Sequence, residues 1–258
     1  MIVVAMSDIK SEEEVTLTYT CNTQTSTERK RDLVKYGFEC DCALCKADAT
    51  LDGSALLLRN EISSTLMEMI KSQLSAEGAP VAEHEATMRK YMQTYDALVY
   101  KGIPYLQMAE PLYGMAHVYL GRIPAWPGAS SEAKVKARDC FTACLQVGLG
   151  IKLAMNPSTK HYELVFLKYS QADDCGILSL VGLAELAFLA KDINSAASLL
   201  ACAKKLYKIR FGEDTTFGDH HLDYTCKAVK PCERCAPMSA KAKAAAVAEP
   251  MPIPWFLR

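Results

Sequence analysis

The sequence predicts an α+β chain: a small β-rich beginning that carries a cysteine knot, then a mainly α-helical, repeat-like domain. Three observations predict it. Ile2–Met6 and Val15–Tyr19 are short apolar or alternating β-branched runs parted by a polar turn, which is the pattern of strands. Cys40, Cys42 and Cys45 then fall within six residues. From Ala55 onward the apolar positions recur every three or four residues, the period of a helix with one buried face. Domain boundaries are expected at 1–47, 55–211 and 212–258, the last a polar turn and a poorly ordered tail.

The knot reads Tyr36-Gly37-Phe38-Glu39-Cys40-Asp41-Cys42-Ala43-Leu44-Cys45, with C-x-C-x2-C spacing. One disulfide would strand the third thiol, whereas three thiolates converging on one zinc ion satisfy all of them. Zinc takes four ligands, so a fourth is expected from elsewhere. Free core cysteines are the other reading. Between the second strand and the knot, Arg29–Lys35 is expected as a short helix.

This order resembles the last third of a SET domain with its post-SET zinc segment, and is most similar to the SET-and-MYND-type protein-lysine methyltransferases. The matching positions are Asp8-Ile9, Glu13-Glu14-Val15, Tyr19, Arg29, Leu33, Tyr36, Phe38, Cys40, Cys42 and Cys45, about the first fifth of the chain. The resemblance implies a catalytic role for Tyr19, whose hydroxyl would orient the lysine amine and the methyl group. It implies that Tyr36 and Phe38 pack against the adenine end of S-adenosylmethionine, and that Cys40, Cys42 and Cys45 bind structural zinc. An ordinary strand tyrosine at 19, and aromatic rings at 36 and 38 that only cover the knot, are the alternatives. A complete SET domain begins with a Gly-x-Gly cofactor loop and later carries Asn-His-x-Cys, and neither precedes these strands. The chain therefore reads as a SET remnant, truncated or degenerate, in which S-adenosylmethionine binding and methyl transfer are not expected. A non-catalytic interaction module built on the helical domain is the alternative function.

Taken in order, Ala55–Leu74 is expected as a helix buried through Leu58, Ile62, Leu66, Met69 and Ile70. Ser75–Ala79 breaks it. Val81–Tyr100 is a second helix, with Met88, Tyr91, Met92, Tyr95, Leu98 and Val99 inward. Tyr105–Leu120 is a third despite Pro111, and Gly121–Ser130 is a loop. Ser130 or Ser131 caps a fourth that runs to about Ala154, and Asn156-Pro157-Ser158 stops it. A shorter helix is expected over His161–Tyr169. Cys175–Lys191 and Ile193–Arg210 form a helix pair with tetratricopeptide-like spacing, and Leu112–Leu153 reads as a looser copy.

Cys226, Cys232 and Cys235 offer a second zinc half-site or the missing fourth ligand, and Ala236–Ala248 is Ala/Lys-rich before Trp255-Phe256-Leu257. The histidines at 84, 117, 161, 220 and 221 make no hydrolase pattern.

A net charge of −1 gives no global field toward nucleic acid or membrane, and no apolar run is long enough to span a bilayer. The partner implied is a protein substrate or peptide, a histone among them. Eleven cysteines without a secretory leader point to a reducing compartment, nucleus or cytoplasm.

Overall fold

The computed structural model describes residue 11, residues 24–75, 80–121 and 128–212, and residue 217. The expected strands Ile2–Met6 and Val15–Tyr19, the cysteines at 226, 232 and 235, and the tail all lie outside these residues. What is described is mostly helical, with one small two-stranded antiparallel sheet. No described helix is long and apolar enough to cross a membrane.

Helix α1 (Ser26–Leu33) opens on a capping box. Thr25 Oγ1 accepts the Glu28 N–H at 3.2 Å, and the Glu28 carboxylate accepts the Thr25 N–H at 2.9 Å. A 3-10 turn (Val34–Tyr36) ends at Gly37, whose φ of +73° is the left-handed region that favours glycine. Helices α2 (Ala43–Ala49), α3 (Gly53–Ser75) and α4 (Val81–Gln93) follow. Within α3, Leu66 and Ile70 are buried as expected, while Leu58 is exposed.

Helix α4 stops seven residues before Tyr100, where the sequence places its end. Arg59 of α3 is the reason: its guanidinium donates to the Thr94 carbonyl at 2.6 Å and to Thr94 Oγ1 at 3.2 Å, taking groups a further turn would use. Leu98, expected inward, is consequently 84% exposed.

Helix α5 (Ala109–Leu120) accepts Pro111 because the proline sits in the first turn, where a backbone N–H has no helical partner. Ser130 caps α6 (Ser131–Ala143) as expected, accepting the Ala133 N–H at 3.1 Å. Here the largest correction falls. The helix does not run to Ala154; it loosens into a π turn (Cys144–Gly148) and becomes strand β1 (Ile151–Met155).

Gly150, at φ +68°, makes the break. The expected helix over His161–Tyr169 is strand β2 (Tyr162–Phe166), paired antiparallel so that Ile151 faces Phe166 and Met155 faces Tyr162. Both segments alternate side chains with period two, and the Asn156 side chain closes the turn by accepting the Ser158 and Thr159 N–H groups.

Helix α7 (Asp174–Leu189) is buried on nearly every side and pairs with α8 (Ile193–Phe211). Asp192 caps α8, and Lys191 takes the left-handed turn before it, at φ +64°. Gly182 lets α7 approach α6: a Cβ there would meet the Phe141 ring at 2.5 Å. The hairpin lies on α8, with the Tyr162 N–H donating to Ser198 Oγ at 2.6 Å. The helix pairs α5–α6 and α7–α8 are thus separated by a π turn and a hairpin.

His117 of α5 packs edge-on against Tyr113 and Phe141. Burial pushes its pKa from 6.5 down to about 4. The folded chain holds this imidazole neutral, whereas the unfolded chain protonates it near 6.5, so its contribution is complete above that pH and is lost as pH falls toward 4. The shift corresponds to about 3 kcal/mol. Substituting His117→Phe is expected to flatten this part of the stability–pH curve between pH 6.5 and 4, measured by urea denaturation. An unchanged acid slope would show that the histidine is not responsible.

Candidate metal centre

A glycine turn and the start of a helix bring the knot together. Gly37 reverses the chain after α1, with its N–H on the Val34 carbonyl at 3.0 Å. Residues 38–41, outside any helix or strand, then lead to Cys42, the N-cap of α2, whose carbonyl accepts the Lys46 N–H at 2.9 Å. Cys45 lies in the first turn of the same helix. The sulfur atoms of Cys40, Cys42 and Cys45 all lie within 4.8 Å of one another. A tetrahedral zinc–thiolate site, with Zn–S near 2.3 Å, needs about 3.8 Å between sulfurs, which small side-chain rotations supply.

The electrostatics favour a metal. Cys42 is held down to about 5, first by a hydrogen bond from the Cys45 thiol and then by the N–H groups of the opening turn of α2 and by Cys40. Cys45 is pushed up, because it donates to Cys42 and is buried. The pair shares one proton, which a divalent cation would displace. Cys42 is exposed, Cys40 half-buried and Cys45 buried, so the cluster opens to one side. Among the described residues, no fourth Cys, His, Asp or Glu joins the group.

The other described thiols are of a different kind. Cys140, Cys144, Cys175 and Cys202 are free, and burial raises all four, Cys144 to about 12 and Cys202 to about 11.

The knot is tied to the helical domain by groups that sequence reasoning did not single out. Asp48, one helical turn beyond Cys45, is 2% exposed and accepts from Arg29 of α1 at 2.5 Å and from Arg59 of α3 at 3.3 Å. The Tyr100 hydroxyl donates to the same carboxylate at 2.5 Å and accepts from Arg59 at 2.8 Å. Burial, and then that donation, push Tyr100 up to about 12. Arg59, itself 1% exposed, lies 3.9 Å over the Tyr95 ring. No spacing signal announces this cluster, because its members are 11 to 52 residues apart. Asp48 reads in the sequence as the start of a polar break.

Of the residues assigned from the resemblance, Cys40, Cys42 and Cys45 converge. Tyr36 ends the 3-10 turn and Phe38 stands on the loop leading into them, 47% and 41% exposed. Tyr19 lies outside the described residues. Gly148-Leu149-Gly150 has Gly-x-Gly spacing, but it is packing: a Cβ on Gly148 would strike the Ala109 backbone at 2.8 Å, one on Gly150 the Pro104 ring at 2.7 Å, and Leu149 is fully buried. No protein-family model, curated protein or solved structure matches this chain.

Replacing Asp48 by Ala leaves two buried guanidinium groups without their shared carboxylate. Loss of one partner from a buried pair costs about 3–5 kcal/mol. Urea unfolding of Asp48→Ala is expected to show a loss in that range. A loss no larger than for an exposed ion pair, about 1 kcal/mol or less, would show that the cluster bears little load.

Proposed function

We propose that this chain carries the zinc-binding end of a SET-type protein-lysine methyltransferase of the SET-and-MYND kind, joined to a tetratricopeptide-like helical domain, and that the 258 residues alone do not transfer methyl groups. The observation that carries the reading is the convergence of Cys40, Cys42 and Cys45, which follow α1 and the rings of Tyr36 and Phe38 in the order that the family shares. The donor set is three thiols, one already ionised, which suits zinc better than a hard cation. Bound zinc would act as a structural cross-link, with Cys40, Cys42 and Cys45 as its ligands.

Val34, Tyr36 and Phe38 add support: three large apolar side chains within five residues are 76%, 47% and 41% exposed. In the family, the rings at positions 36 and 38 would face the adenine of S-adenosylmethionine, and Tyr19 would orient the amine of a protein lysine, on a histone or another protein. Asn-His-x-Cys is not in this sequence, so the other half of that cofactor site has no counterpart here. Thiols of this kind keep zinc in a reducing compartment such as nucleus or cytoplasm.

Metal analysis of the purified chain is expected to find one zinc per molecule, lost on Cys42→Ser. Calorimetric titration with S-adenosylmethionine is expected to give no binding heat. A chain that folds normally without metal would defeat the knot, and measurable cofactor binding would place a complete cofactor site in this polypeptide.

A second reading, a peptide-binding module, is favoured by a groove of about 490 Å3 between α6, the hairpin, α7 and α8. Val135, Leu153, Tyr162 and Leu186 form an apolar lining, with Lys134 and Arg138 along the α6 side. Such a groove suits a short segment with an apolar anchor and acidic flanks. Peptides of that composition, selected on the wild-type chain, are expected to bind Val135→Glu about tenfold more weakly, a loss of about 1.4 kcal/mol by fluorescence polarisation. Equal binding would place the interaction on another surface.

A further inference from the structure

The buried charges around the knot do not balance within the groups already named. Arg29 and Arg59 are 3% and 1% exposed, and between them stands one carboxylate, Asp48. Three neighbours fix the Arg29 guanidinium. One terminal nitrogen donates to the Gln24 carbonyl at 2.6 Å and the other to Asp48 at 2.5 Å. Its Nε is buried and has no hydrogen-bond partner, a costly state for a charged donor. The thiol beside this guanidinium is that of Cys45. Cys45 and Asp48 are three residues apart on α2, so one face of that helix presents the ligand sulfur and the carboxylate to the same arginine.

The arithmetic of charge then points to the metal. Zinc with three thiolates carries one net negative charge, and Arg29, Arg59 and Asp48 together carry one net positive charge. We infer that Arg29 is a positioning residue for the metal centre: when zinc is bound, its Nε–H donates to the Cys45 thiolate, so that metal loading tightens the packing of α1 and α2 on α3. The inference rests on the zinc reading given above. Every proton that the three thiols still carry is released to solvent as zinc binds, so that all three ligate as thiolates.

Arg29 thus acts on the metal through Cys45. A guanidinium fork is needed, because a lysine ammonium cannot serve a carbonyl, a carboxylate and a sulfur in one plane. Partners of ligand groups typically change metal affinity by about 10–100-fold.

The test combines an affinity with a spectroscopic signature. In a competition titration against a chromogenic chelator, Arg29→Gln is expected to bind one zinc with affinity about 10–100-fold weaker than wild type, and Arg29→Lys to fall between. In the cobalt-substituted protein, the sulfur-to-metal charge-transfer band of Arg29→Gln is expected to move to lower energy, since the lost N–H···S bond leaves the sulfur more electron-rich. A residue that only holds the fold together would leave that band in place.

Should Arg29→Gln not fold, nitrogen-15 spectra of the wild-type chain decide. The Arg29 Nε–H signal is expected to shift downfield and exchange more slowly as zinc is added. Zinc uptake with that signal unmoved, or with the Arg29→Gln affinity unchanged, overturns this inference and leaves the knot standing. A wild-type chain that takes up no zinc overturns both.

Discussion

One buried carboxylate holds the first half of the described structure together. Asp48 has almost no solvent, and two guanidinium groups and a phenol surround its carboxylate in place of water. Those partners come from α1, from α3 and from the turn after α4. Each is constrained in turn: Arg59 also takes the carbonyl of Thr94, the residue that caps the end of α4, and lies on Tyr95, which stacks on Tyr105 at 4.3 Å. The ion cluster therefore does more than attract. It fixes where α4 ends, where Tyr100 points and how the knot-bearing helix sits. Asp48 lies one residue past the boundary at 47, so the knot and the helical domain meet at the position where the sequence separates them.

The second half depends on small residues rather than on charge. Helix α7 runs through the centre and is apolar nearly all round, which a helix can be only when other elements cover it on every side. Gly176 and Gly182 remove side chains where Leu149, Leu206 and Phe141 press in. The π turn after α6 belongs to the same packing, because Gly148 there touches the start of α5, backbone against backbone. One extra residue in that turn re-aims the chain, and Gly150 releases it into β1. The hairpin is the consequence of that close approach, and α8 covers it through Ser198 and Cys202.

These two mechanisms explain which parts were legible. Local signals were readable: the Ser130 cap and the pairing of α7 with α8 follow from side chains within a few positions. The three cysteines were readable as a cluster because they lie within six residues of one another. Ile151–Met155 was misread because Cys140–Ala154 is apolar enough to continue a helix, and only contacts with Ala109 and Pro104 stop it. The end of α4 was misread for a similar reason, since Arg59 acts from 35 residues away. Asp48 looked like loop polarity because nothing nearby in the sequence tells a solvated carboxylate from a buried one.

Burial also decides which sulfur is chemistry and which is packing. Seven thiols lie among the described residues, and four sit where low dielectric penalises a thiolate. Cys42 differs because it stands at the N-cap of a helix, where the N–H groups of the opening turn of α2 favour a thiolate, and a neighbouring thiol donates to it. Two further sulfurs lie within 4.8 Å of that one, so the cluster could hold a metal ion. Cys140 and Cys144, one helical turn apart and both buried, offer a pair but no thiolate and no access. The same residue type is thus sorted into a cluster that could hold a metal and into core filler, by the backbone it caps and the solvent it sees.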